Sequence, residues 1–306
     1  RATQITAFNG LFHFTERYHD GANHPKCGLQ LECDPVIEII SVYITSGIFA
    51  GIVAAMFGVG GGFAVAPILL TLLTLQQIGG EQAMHLTVGT TLAVIFVTAS
   101  YSAVLRWRSK DTNPRLVMKF FPLVVIGAIL GSTFGGALPS VILKAIFIFF
   151  IVLSIVRGLF SKRIVEPQSG SDLSGVRGFE YWLSGSLAGF LGALMGPGPA
   201  VLVAPFLRKL RFSMATTVGT CSTLAACLGL FAGVGYIIGG LEAVGLPPFS
   251  LGFLYLPAFI GLAVGGLVGA PFGIALSRRI SDHLQGRLYL VYLAAVLVVM
   301  LYNVSI

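Results

Sequence analysis

Met56–Pro67 reads MFGVGGGFAVAP. Four glycines fill the five positions 58–62, between two apolar runs and with no charged or turn-forming residue beside them. A glycine cluster ends a helix, because glycine has the most backbone freedom to lose. This cluster lies inside sequence that is otherwise apolar enough for a membrane span, so it predicts a helix deliberately broken within the bilayer.

The rest of the chain supports a membrane setting. Of 306 residues, 56% are hydrophobic and 10% charged, against about 25% charged in an average soluble domain. Mean hydropathy is +0.90. Lipid admits only helices and closed barrels. Barrel strands alternate apolar and polar residues, and AIFIFFIVLSIV (145–156) does not. The fold class expected is therefore all-α and polytopic. The net charge of +7 comes from basic residues in short loops, which orient the helices; it does not indicate nucleic acid.

A polar stretch, 1–35, is followed by about five apolar segments in 36–160: 36–57, 62–76, 84–105, 117–138 and 141–160. A charged connector, 161–179, leads to five more in 180–306: 180–195, 199–210, 213–238, 250–276 and 285–305. The two halves align. SGIFAGIVAAMFGVGGGFAVAPIL from Ser46 matches SGSLAGFLGALMGPGPAVLVAPFL from Ser184, and TVGT occurs at Thr87–Thr90 and at Thr217–Thr220. Equivalent loops carry opposite charge bias. QQIGGEQAMH lacks Lys and Arg where RKLRFSM has three; RWRSKDTNPRLVMK is basic where GGLEAVGLPPF is not. The positive-inside bias then makes the halves inverted-topology repeats. It puts the connector in the cytoplasm and both termini outside a plasma (inner) membrane. Cys27 and Cys33 would face an oxidising compartment, as a disulfide or as free thiols.

The segments after the breaks are short. Gly62–Gln76 and Pro199–Leu210 number fifteen and twelve residues, about 22 and 18 Å of helix, where a span needs about 20 residues. Both read as half-helices whose N-termini meet near mid-membrane. Helix N-termini present unpaired N–H groups and about half a positive charge, so each is an anion site without any Lys or Arg. The expected binding residues are Gly58, Gly60, Gly61, Gly62 and Phe63 in the first tip. Gly196, Pro197, Gly198, Pro199, Ala200 and Val201 form the second, where the prolines leave fewer N–H donors. Thr87, Thr90, Thr217 and Thr220 could add hydroxyl donors, or could bond back to their own helices. Cys221 is either a further contact or a small packing residue. The ladders Gly47-xxx-Gly51 and Gly261–Gly273 have the spacing of close helix packing.

No Asp or Glu stands well inside an apolar segment, and His85 lies near a segment end. A proton relay lacks an obvious carrier, and the coupling ion, Na⁺ or H⁺, stays open. No nucleophile–base pattern, metal-ligand spacing or cofactor motif stands out, so the chain is not read as an enzyme; His13, His19 and His24 are read as solvated. A homo-oligomer is compatible with this reading. The residues alone point to a small-anion transporter, with an anion channel or a non-transporting scaffold or receptor as alternatives.

GVGGGFAVAPIL and its degenerate copy GPGPAVLVAPFL, each followed by TVGT, resemble the sulfite exporter family of TauE/SafE type, over about 36–306. The resemblance implies a permease for small sulfur-containing anions: sulfite, sulfoacetate, thiosulfate or related sulfonates. Pro197 and Pro199 depart from the family's glycine-rich form and leave the identity of the anion open.

Overall fold

The computed structural model describes residues 34–57, 62–160, 178–196 and 198–305. Cys27, Cys33, Gly58, Gly60, Gly61 and Pro197 lie outside the described residues, as does most of the connector.

Among the described residues ten α-helices follow one another: α1 (Asp34–Phe57), α2 (Gly62–Leu75), α3 (Ala83–Arg108), α4 (Pro114–Ala137), α5 (Ser140–Phe160), α6 (Gly178–Met195), α7 (Ala200–Lys209), α8 (Met214–Gly239), α9 (Leu256–Arg279) and α10 (Asp282–Ser305). Six of them, α1, α3, α4, α8, α9 and α10, are long and apolar enough to cross a membrane. α2 and α7, at 14 and 10 residues, are too short.

Local chemistry sets several boundaries. Asn113 caps α4, its side chain accepting from Arg115 N–H at 3.0 Å, and Pro114 takes the first helical position, where no N–H is needed. Ser213 caps α8 in the same way, accepting from Thr216 N–H at 3.1 Å. The apolar segment expected from 250 begins otherwise. Ser250–Leu251 (β1) and Leu254–Tyr255 (β2) form a small antiparallel hairpin before α9. Gly252, at φ 56°, makes its turn, and Pro257 then opens the helix. Residues 250–255 are apolar for burial rather than for helix: Phe253 and Leu254 are buried.

Close backbone contact holds the bundle together. A Cβ on Gly47 or Gly51 of α1 would stand 2.6 Å from the Leu262 oxygen or 2.5 Å from the Gly266 oxygen of α9. A Cβ on Gly127 of α4 would stand 2.7 Å from the Phe190 nitrogen of α6. The first helix of each half thus packs on the fourth helix of the other, through glycines that let backbones approach. α3 and α8 cross at the centre: Gly229 faces the backbone of Leu92 and Phe96. The loops past these two helices are also exchanged. The hairpin's Phe253 lies on Gly89 of α3, and Asp111–Thr112 lie on Gly219 of α8. The central helices are accordingly lined with buried small and hydroxyl residues.

Candidate functional site at the helix breaks

α1 ends at Phe57 and α2 begins at Gly62; α6 ends at Met195 and α7 begins at Ala200. The described residues on either side of both breaks are buried. Gly62 is buried, and Phe63 and Ala64 are 1% and 2% exposed; Gly198 and Pro199 are buried and Ala200 is 3% exposed. Neither short helix has an acidic residue in its first turn to offset the positive helix end. Gly196 and Gly198 have φ of 87° and 80°, a region open to glycine and costly for other residues. These two turn the chain between α6 and α7. The first bonds of α7 run from Leu202 and Val203 N–H to the Pro199 oxygen at 3.3 and 3.0 Å. The N–H groups of Ala200 and Val201 precede that first turn and have no helical acceptor. Pro67 and Pro205 sit at matching places inside α2 and α7. Each removes an N–H, so the carbonyls four residues back, Phe63 and Val201, lose their helical donor.

The threonines divide. Thr87 donates to the Ala83 oxygen at 2.7 Å and Thr217 to the Ser213 oxygen at 2.8 Å; both hydroxyls are engaged within their own helices. Thr90 accepts the Tyr255 N–H at 2.9 Å and ties α3 to the hairpin. Thr220, fully buried, has no partner for its hydroxyl. Cys221 beside it is 1% exposed.

Four further residues at the breaks escaped the sequence reading. Thr91 is fully buried with an unpartnered hydroxyl, and its Cγ2 would lie 3.2 Å from a Cβ on Gly196. Two of the other three stand at the carboxyl end of α1. Arg106 Nη2 donates to the Ala55 oxygen at 2.8 Å, and Gln285 Nε2 donates to the Met56 oxygen. These are last-turn carbonyls that a helix cannot satisfy itself. Counted from the two TVGT motifs, Tyr236 holds in α8 the place that Arg106 holds in α3. Its buried hydroxyl has no partner and lies against Gly135. The carboxyl end of α1 is thus closed by a guanidinium and a carboxamide, whereas the phenol at the matching place in α8 bonds no carbonyl. His85, near the start of α3, is 4% exposed; its Nε2 is 2.8 Å from the Leu138 oxygen and its ring stacks on Phe253 at 4.9 Å.

The sequence profile described as "Sulfite exporter TauE/SafE" matches residues 43–300. A "Probable membrane transporter protein" of Haemophilus influenzae is 25% identical over 247 residues, covering 80% of this chain and 91% of its own. One of the same description from Methanocaldococcus jannaschii is also 25% identical, over 81% of this chain and 90% of its own. "Sulfite exporter TauE/SafE family protein 1" of Arabidopsis thaliana is 29% identical over 89 residues, which is 29% of this chain and 20% of its own. No solved structure matches the chain. With six membrane-length helices and a family profile that spans nearly all of them, this multi-pass membrane protein belongs to the sulfite exporter TauE/SafE family of transporters.

Proposed function

We propose that the chain carries a small sulfur-containing anion, such as sulfite or an organosulfonate, bound at mid-membrane between the N-terminal ends of α2 and α7. The observation that carries this reading is the pair of buried helix N-termini with no acidic residue in either first turn. Backbone N–H groups and the helix dipole favour an anion there; a neutral acceptor would gain weaker bonds and a cation would be repelled. The first tip, Gly58–Phe63, and the second, Gly196–Val201, supply the backbone donors, with the Thr220 and Thr91 hydroxyls beside them. The exchange of partners between α1–α9 and α6–α4 supports inverted repeats, and the loop charges support a cytoplasmic connector, with both termini outside the inner membrane. The family description supports sulfur as the element.

The test is uptake of radiolabelled sulfite and sulfoacetate into proteoliposomes holding the purified protein. Saturable uptake above that of empty vesicles, with each anion competing against the other, is the expected result. Uptake no faster than in empty vesicles refutes the reading, and single-channel currents would replace a carrier with a channel.

A further inference from the structure

The loop between α3 and α4, residues 109–113, reads SKDTN. It lies across α8: a Cβ on Gly219 would stand 2.7 Å from the Asp111 oxygen and 2.8 Å from Thr112 Oγ1. All five residues are polar, so no burial of apolar side chains holds the loop on that helix.

Its tie across the bundle is the Asp111 carboxylate. Oδ2 accepts from Nη2 of Arg278, in the last turn of α9, at 2.9 Å. Arg106 Nη1 is 3.9 Å from the same oxygen, too far for a hydrogen bond, and Arg106 lies on α3, from which the loop itself emerges. The Asp111 and Arg278 side chains are 19% and 50% exposed, so water and salt reach the pair.

The other end of the α3–α8 crossing is closed by different forces. There the hairpin 250–255, SLGFLY, lies on Gly89 of α3 and has no charged residue. Phe253 and Leu254 are buried, and the Tyr255 N–H bonds Thr90 at 2.9 Å. Counted from the repeated motifs, Leu241 and Ser140 stand where Asp111 and Arg278 do. Burial of two large apolar side chains holds far more firmly than a partly exposed ion pair, which shifts an equilibrium by at most about fivefold.

We propose that the α3–α4 loop is a strap latched by the Asp111–Arg278 pair, and that this end of the α3–α8 crossing opens at lower cost than the hairpin end. A transporter uncovers its interior from each side in turn, and the strap is the cover that lifts more readily. The inference needs the chain to be a transporter; it does not depend on which solute is carried or where that solute binds.

Thr112 and Ser250 supply matched probes, one in the strap and one in the hairpin, because both hydroxyl oxygens are buried without a partner. Thr112→Cys and Ser250→Cys are each made in the full chain, and the rate of maleimide labelling at the new thiol is followed in detergent, located by mass spectrometry. The strap thiol reacts faster than the hairpin thiol. Adding Arg278→Gln speeds the strap thiol by about fivefold and leaves the hairpin thiol unchanged. Arg278→Lys, which keeps the charge, stays near the wild-type rate. Raising NaCl speeds the strap thiol by screening the pair, but has no such effect once Arg278→Gln is present. An unchanged strap rate in Arg278→Gln overturns the latch, and equal acceleration of both thiols shows general loosening and overturns it too. Should Arg278→Gln not assemble, a strap thiol that ignores salt overturns it equally. Failure of sulfite uptake in proteoliposomes would bear on the proposed solute and leave these rates as they are.

Discussion

Replacing Thr220 by valine removes one hydroxyl and keeps the branched shape of the side chain. Thr220 is fully buried in α8 and its hydroxyl has no partner. An unpaired buried polar group costs roughly 1–3 kcal/mol, so deleting it should leave the ligand-free protein as stable as before, or more stable by about 1 kcal/mol. Thr90, at the matching place in α3, is equally buried but accepts the Tyr255 N–H at 2.9 Å. Thr90→Val strands that N–H and should cost about 1–3 kcal/mol. Function should run the other way. A hydroxyl that donates to a bound anion makes a charge-assisted bond of about 1.5–3 kcal/mol, so Thr220→Val should raise KM by roughly tenfold to a hundredfold. Melting curves in detergent, with and without sulfite, and uptake in proteoliposomes measure the two halves of the expectation. A Thr220→Val protein that melts as early as Thr90→Val would show that the Thr220 hydroxyl is structurally engaged. One that keeps the wild-type KM would show that it does not touch the anion. Either result refutes the reasoning.

Gly198→Ala and Gly245→Ala form a matched pair. Their φ angles are 80° and 84°, so both pay about 1–2 kcal/mol of backbone strain. Gly245 faces open space in a loop, whereas Gly198 is buried at the second tip. Melting temperatures should fall alike in the two proteins, while uptake falls mainly in Gly198→Ala; equal uptake would remove Gly198 from the site. Gly51→Val places its Cβ 2.5 Å from the Gly266 oxygen, a backbone atom that cannot turn away. It should abolish the monodisperse species in size-exclusion chromatography, which Gly136→Ala, with nothing within 4 Å, should preserve.

Periodicity and break chemistry were visible in the sequence because each depends on neighbours along the chain. Consecutive glycines, a proline and too few residues to span are local facts, and α2 and α7 are accordingly short, at 14 and 10 residues. The hairpin at 250–255 was harder to see. Its residues are as apolar as a helix, and what makes it a turn is Gly252 at φ 56° together with a hydroxyl contributed from α3. That second contribution comes from 165 residues away. The threonines are ambiguous in sequence for the same reason. Thr90 and Thr220 occupy the same position in their motifs, yet only Thr90 meets an N–H.

Arg106 shows what a count of charges by loop conceals. In RWR, Arg106 and Arg108 both add to the positive-inside bias. Two residues on a helix are about 200° apart, so they cannot share an environment: Arg106 is buried and Arg108 exposed. A helical signal for this existed. Thr98, Ala99, Ser102 and Ala103 are the buried residues of the preceding turns, and Arg106 continues that stripe at i+3 and i+4. A charge that falls on the buried stripe of a membrane helix is no longer an orienting charge; it faces the protein interior, where little but a ligand or a counter-ion can offset it. Tyr236 continues the matching stripe of α8 without a charge. The duplication that makes the two breaks recognisable is therefore also what exposes a difference between them: a buried arginine bonded to the end of α1, and a tyrosine at the matching place of α8.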